Sequence, residues 1–312
     1  MKYIQKLSFL LLLLIVVNCG NEKKIYKQFD TVEFSTNQNN DDDVSAWNGG
    51  PGFEIYAEQL GWETNNNVQS VGSPDAIKGD TITLVGEEVM PPTFRAIGKE
   101  TRLQFLSIIE ALTYEPLLSF NYETSKYEPE LATHWKISDD KMTYWFRLDP
   151  RARWDDGKKV TANDVIAYFK LLTDDGHKDP NVSKVYQELF ELPVAESKYI
   201  VRITAKKRDW RSFRYAAGFT PMPSFYLDKI DGAGYLEKYN FSFMPASGAY
   251  EYDKQASKKG AEGHIVMRRR ENYWAEDHKR NEGLNNFNQI KFIFIEDENQ
   301  QKVSFFNGDF DI

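Results

Sequence analysis

The sequence predicts a mixed α/β fold with a mixed sheet, and three observations carry that prediction. Thr143-Tyr144-Trp145-Phe146-Arg147-Leu148 alternates as a half-buried strand does, with Tyr144, Phe146 and Leu148 on one side and Thr143, Trp145 and Arg147 on the other. Asp156-Gly157 supplies the positive-φ residues of a tight turn, and Lys158-Lys159-Val160 leads out of it. Thr161 then begins a helix: its Thr-x-x-Asp spacing to Asp164 is a capping-box variant, and Val165, Ile166, Phe169 and Leu172 recur at helical intervals. Helices and strands interleave along the chain instead of segregating, which makes the class α and β with a mixed sheet.

Taken in order, the chain opens with Lys2 and Lys6 before an apolar run from Leu7 to Val17, the pattern of a signal peptide over residues 1–19. The run is shorter than the roughly 20 apolar residues that span a bilayer. Cys19 is the only cysteine, so no disulfide forms within the chain. Its place after the run resembles a bacterial lipobox, which implies a lipid-carrying thiol and anchorage to a membrane, although Asn18 stands where a small residue is usual. Residues 20–74 read as a polar tether, since Asn37 to Asp43 and Asn65 to Asn67 cannot bury enough surface to order themselves. Within it, Phe53, Ile55, Tyr56, Leu60 and Trp62 predict a short helix docked on the body.

Thr81 to Val85 is the first strand of the body, and Pro91-Pro92 breaks any regular element after it, leaving a loop at a strand end where binding walls are common. Leu103, Leu106, Ile109 and Leu112 set a helix over 101–114 that delivers Tyr114-Glu115-Pro116-Leu117. Lys198 to Ile203, His264 to Arg268 and Gln289 to Ile295 alternate as further strands.

A chain of 312 residues with 41% hydrophobic content can build a substantial core. Its net charge of -8 argues against a nucleic-acid partner. Lys206-Lys207-Arg208 and Arg268-Arg269-Arg270 are each followed by an acid and read as solvated faces. His134, His177, His264 and His278 show no zinc spacing, and there is neither a phosphate-binding glycine loop nor a Gly-x-Ser-x-Gly elbow. Asp139-Asp140, Asp155-Asp156 and Asp174-Asp175 sit in turn-like contexts, and Asp41-Asp42-Asp43 lacks the alternation of a calcium loop. The expectation is a non-enzyme without metal or cofactor. Aromatic residues make up 14% of the chain, which suits a binding protein.

Tyr114-Glu115-Pro116-Leu117, Pro129-Glu130-Leu131-Ala132-Thr133-His134-Trp135, Trp154-Asp155-Asp156-Gly157 and Val160-Thr161-Ala162-Asn163-Asp164-Val165 occur in one order at short spacings. Met222-Pro223, Ser247-Gly248-Ala249-Tyr250, Arg270-Glu271-Asn272-Tyr273-Trp274 and Phe305-Phe306-Asn307-Gly308-Asp309-Phe310-Asp311 continue the series. Together they resemble solute-binding protein family 5, the peptide-binding subunits of ABC importers, over roughly residues 75 to 312. Asn281-Glu282-Gly283 and Asn285 to Phe292 look most like the oligopeptide branch often described with microcin uptake. One departure lies at Ala246-Ser247-Gly248-Ala249-Tyr250, where the family usually reads Gly-Thr-Gly-Pro-Tyr.

The resemblance implies a type II periplasmic-binding-protein fold of the large peptide-binding class. Residues 75–117 and 204–312 would build the first main lobe and 118–203 its extra subdomain, with the chain truncated before the second lobe. It also implies a monomeric, lipid-anchored protein on the outer side of a bacterial membrane that captures oligopeptides and presents them to a permease and its ATPase subunits. The first-lobe wall would draw on Pro92 and Thr93, Glu115, Tyr186, and Phe219 to Phe225. The same family carries nickel chelates, haem and oligosaccharides, and a surface lipoprotein acting as sensor or adhesin is the competing class.

Overall fold

The computed structural model describes residues 44–260 and 263–311; the expected signal peptide, Cys19 and the tether residues before Val44 lie outside the described residues. A 3-10 turn at Ala46–Asn48 and helix α1 (Glu54–Ala57) come first, then strand β1 (Gly79–Glu87) and helix α2 (Gln104–Thr113). A hairpin of β2 (Leu118–Asn121) and β3 (Lys126–Pro129) leads to β4 (Ala132–Ile137) and β5 (Thr143–Leu148). Helices α3 (Ala162–Leu172) and α4 (Pro180–Leu189) precede β6 (Val194–Ala195) and β7 (Ile200–Thr204). Helices α5 (Ser212–Ala217), α6 (Ser224–Leu227) and α7 (Gly232–Lys238) are followed by β8 (Tyr250–Tyr252), β9 (His264–Arg269), β10 (Phe287–Phe294) and helix α8 (Glu298–Asn307).

Two four-stranded sheets organise these elements. One has the order β1-β10-β9-β8 and is mixed, because β1 runs parallel to β10 while the other pairs are antiparallel. The other has the order β4-β5-β7-β6 and is antiparallel throughout. Helix α2 covers the mixed sheet, where the Phe105 ring meets Phe292 at 5.0 Å and Phe294 at 5.4 Å. The helix expected from Thr101 starts three residues later, since Leu103 is extended and the Thr101 hydroxyl donates to Gly98 O at 2.8 Å.

In the antiparallel sheet, Tyr144, Phe146 and Leu148 are buried on one face, as their alternation requires. The Asp156-Gly157 turn forms with Gly157 at φ +83°, and a bridge pairs Arg153 with Lys159. Helix α3 carries its capping box: the Thr161 N–H donates to the Asp164 carboxylate at 2.7 Å. The opposite face of β5 departs from the half-solvated expectation, because Arg147 is 2% exposed. Residues 49–62 cover it. The Arg147 guanidinium donates to Gly49 O at 2.9 Å and Gly50 O at 3.2 Å, pairs with Glu54 at 3.0 Å and lies 5.1 Å from the Phe53 ring centre. Phe53 itself is fully buried, in a small cluster with Ala57 and Ile200 flanked by Trp62 and Trp145. The stretch read as tether over 20–74 is therefore held to the body from Val44 onward, where a buried cation and an aromatic cluster outweigh the polar composition.

Candidate functional site

The motifs that punctuate the sequence converge, and together they build a brace. Glu115, delivered by α2, is 6% exposed. Its carboxylate accepts from the Tyr273 hydroxyl at 2.5 Å, Trp274 Nε1 at 2.8 Å and Arg280 Nη2 at 3.0 Å, while its own N–H donates to Ser247 Oγ at 2.9 Å. Arg280 also pairs through Nε with Glu130 at 2.9 Å. Burial raises the carboxyl of Glu115 above its ordinary range and takes that of Glu130 to about 7, against the pull of Arg280.

A second set of bonds ties the loop at 246–248 to the turn at 154–157. The Asp155 N–H donates to Ala246 O at 2.8 Å, and the Ala246 N–H returns a bond to Asp155 Oδ2 at 3.0 Å. Arg270 Nη1 donates to the carbonyls of Ala246, Ser247 and Gly248 at 2.9 to 3.0 Å. At Gly248 a Cβ would stand 2.6 Å from Leu112 O, so the one glycine that the loop keeps is the one the close approach needs. These bonds all run to other parts of the chain, so the brace positions elements and offers nothing outward. Glu115, expected in a ligand wall, is spent here.

Among the described residues, an open feature is a cleft of about 440 Å³ where β1 ends and α2 begins, lined by Glu87, Glu88, Val89, Pro91, Pro92, Glu100, Arg102 and Leu103. Val89, Pro91, Pro92 and Leu103 make its apolar wall, and Val89 is 60% exposed. Glu87 accepts the Phe105 N–H at 3.2 Å, which settles its carboxylate on the first turn of α2. Arg102 reaches away to Asp179 at 2.9 Å, and Asp179 in turn caps α4 through the amides of Asn181 and Val182. Arg102 is thus committed elsewhere, while Glu100 pairs with Lys99 at 3.6 Å and Arg95 at 4.0 Å, which leaves Glu88 as the carboxylate that the rim presents. Such a surface can hold apolar groups against its wall and a positive charge at its rim.

Of the residues expected in the ligand wall, Pro92 lines this cleft. Thr93 comes next in the chain but is fully buried, its hydroxyl donating to Asn240 O at 2.9 Å. Tyr186 and Phe219 belong to an aromatic cluster, 5.6 Å apart between ring centres, with Tyr168, Phe169 and Phe190 around Phe219. Phe225 is 46% exposed under the Lys229 ammonium at 3.6 Å. The six do not converge on one surface. Sequence reasoning misses the acidic rim because isolated glutamates carry no pattern; the signal that points to its place is the Pro91-Pro92 break after the first strand. Among the described residues, no group of three or more His, Cys, Asp or Glu side chains is placed to hold a metal ion, and no helix is long and apolar enough to cross a membrane.

Residues 126–312 match the family described as bacterial extracellular solute-binding proteins, family 5 middle. Curated relatives include a putative binding protein of Brucella melitensis, 29% identical over 180 residues, which are 57% of this chain and 28% of that protein. A probable peptide-binding protein, YejA, of Agrobacterium fabrum is 25% identical over 238 residues, covering 76% of this chain and 37% of that one. The matched stretches thus span less than half the length of these relatives. The fold is similar to that of the oligopeptide-binding protein AppA from Bacillus subtilis, solved in complex with a nonapeptide, with a TM-score of 0.64 at 20% identity over 76% of this chain and 44% of that one. That likeness places the architecture in the type II periplasmic-binding class.

Proposed function

Because the chain belongs to the bacterial extracellular solute-binding proteins of family 5, we propose that it captures an oligopeptide on the outer side of a bacterial membrane and presents it to the permease and ATPase subunits of an ABC importer. The observation that carries the ligand class is the cleft at the end of β1, with its apolar wall and acidic rim. An extended peptide offers both matching features: side chains for Val89, Pro92 and Leu103, and an amino terminus or basic side chain for Glu88. The names of the relatives support the same reading, one being a probable peptide-binding protein.

In this reading the mixed sheet with α2 belongs to a main lobe, 75–117 with 204–312, and the antiparallel sheet to its subdomain, 118–203. A facing lobe, for which the length of the relatives leaves room, would close on the ligand and exclude water from its charged ends, where each ion pair then strengthens. Pro92 is the one residue of the expected wall that we keep at the ligand; Thr93, Glu115, Tyr186 and Phe219 are taken up in the packing of the body, and Phe225 stands apart. Cys19 would carry the lipid that holds the protein to the membrane. A single experiment tests both parts. Mass spectrometry of the full-length protein drawn gently from membranes should show co-purifying peptides and an acylated Cys19. A nickel chelate, haem or oligosaccharide in place of peptides would overturn the ligand, and an unmodified Cys19 would overturn the anchor.

A further inference from the structure

The loop from β7 into α5 concentrates positive charge on a protein of net charge -8: Lys206, Lys207, Arg208, Arg211 and Arg214 stand within nine residues against the single acid Asp209. All five basic residues are exposed. Sequence alone reads them as a solvated face, but the structure adds aromatic rings that a solvated face does not need. Trp210 is 86% exposed, more than any other tryptophan of the chain, and Tyr122 at the tip of the β2–β3 hairpin is 72% exposed.

Neither ring is outward by neglect. Asp209 accepts from the Arg211 N–H at 2.9 Å and from the Arg211 guanidinium at 2.9 and 3.1 Å, a turn that fixes the loop on both sides of Trp210 and consumes its one acid. The Arg211 guanidinium then lies 5.9 Å from the Trp210 ring. Arg214, one turn on, donates to the Tyr122 hydroxyl at 2.6 Å and lies 5.8 Å from Phe120 and 5.6 Å from Tyr122. Hairpin, loop and helix thus form one patch in which guanidinium groups back two exposed aromatic rings. The acids nearby include Asp140, whose charge interacts with that of Arg208, Glu123 on the hairpin, and Glu188 and Glu191 on the segment to which Lys206 is bonded, so the positive charge is densest from Lys207 to Arg214.

We infer that residues 206–215 with Tyr122 form a contact surface for anionic lipid headgroups, with Trp210 entering the interfacial layer of the membrane. Lysine and arginine near a membrane surface are drawn by acidic lipids, and tryptophan and tyrosine settle at the headgroup level because each has an apolar body and a polar tip. The patch is an exposed loop, helix start and hairpin tip that put charge and aromatic rings side by side in solvent, which fits a continuous charged surface. The inference does not depend on which solute the protein carries.

The test uses the full chain recovered from membranes and reconstituted on vesicles with brominated acyl chains, made of phosphatidylcholine alone or mixed with phosphatidylglycerol. Co-sedimentation reports whether the chain is attached at all, and tryptophan quenching reports whether the patch reaches the lipid, so anchor and patch can fail separately. The expected result is quenching that requires phosphatidylglycerol, fades at high salt, and is lost both in Trp210→Phe and in the Lys207→Glu, Arg208→Glu double variant. Equal emission on both vesicle types, or phosphatidylglycerol-dependent quenching that survives in Trp210→Phe, overturns the inference, the former leaving an acidic protein as the partner to seek.

Discussion

Glu130 sits 2.9 Å from Arg280 Nε, yet burial and the neighbouring carboxylate of Glu115 hold its carboxyl up at about 7. A folded-state value raised above the ordinary 4.5 means that the folded protein binds this proton more readily than the unfolded chain does. The resulting stability is fully present below about 4.5 and is lost as pH rises through about 7. Relative to Glu130→Gln, wild type should therefore lose stability in thermal melts from about pH 5 to about pH 8. The difference between the two across that window should be on the order of 2 kcal/mol. Parallel curves would mean that Arg280 keeps Glu130 ionised throughout. In the sequence this residue is only one letter of a motif. Its raised value comes from burial beside Glu115, in a fold that brings Arg280 in from about 150 positions away, and no local pattern carries that.

At the scale of elements, α3 is the most legible part of the chain, because its signals are local: a turn glycine, a capping threonine, an acid in the first turn and apolar residues at helical spacing. The letters do not carry the second use of Asp164. One carboxylate oxygen accepts from Thr161, and the other accepts the N–H and hydroxyl of Ser224 at 2.7 Å each, which pins the first turn of α6 to α3. Thr161→Ala should cost about 0.5 to 2 kcal/mol, the usual range for a lost cap. Asp164→Ala should cost more, at least about 2 kcal/mol, since it strands buried donors on two helices at once. Urea titrations of both variants decide the matter, and equal costs would show that the link to α6 adds nothing. The short strands β2, β3, β6 and β8 are illegible for a related reason: with two to four residues each, they alternate too briefly to register against a turn-rich background.

For the molecule as a whole, the sheets and the main helices are legible because apolar periodicity is written within single segments. The placement of the ligand wall is not, since four of its six expected residues are buried or gathered into aromatic packing. The docking of 44–62 is half legible: the aromatic residues announce a contact, but its receptor, a buried arginine on the far face of β5, looks like a solvent-facing residue of an alternating strand. Phe53→Ala should empty that contact at about 3 to 5 kcal/mol, the range for a buried phenylalanine. Limited proteolysis should then cut within 44–62 while leaving the rest of the body whole. Simultaneous digestion of the entire chain would make the segment part of the folding core instead. The same contact has a mechanical side. Gly49 and Gly50 are gripped by Arg147, and Asn48 O accepts from Ser197 Oγ at 2.6 Å, so a pull on the chain from its amino-terminal side enters the body at β5, an inner strand of a four-stranded sheet, and at the turn that leads into β7, the other inner strand. Load there is shared by hydrogen-bonded strands on both sides, whereas a chain leaving from an edge would peel one strand at a time.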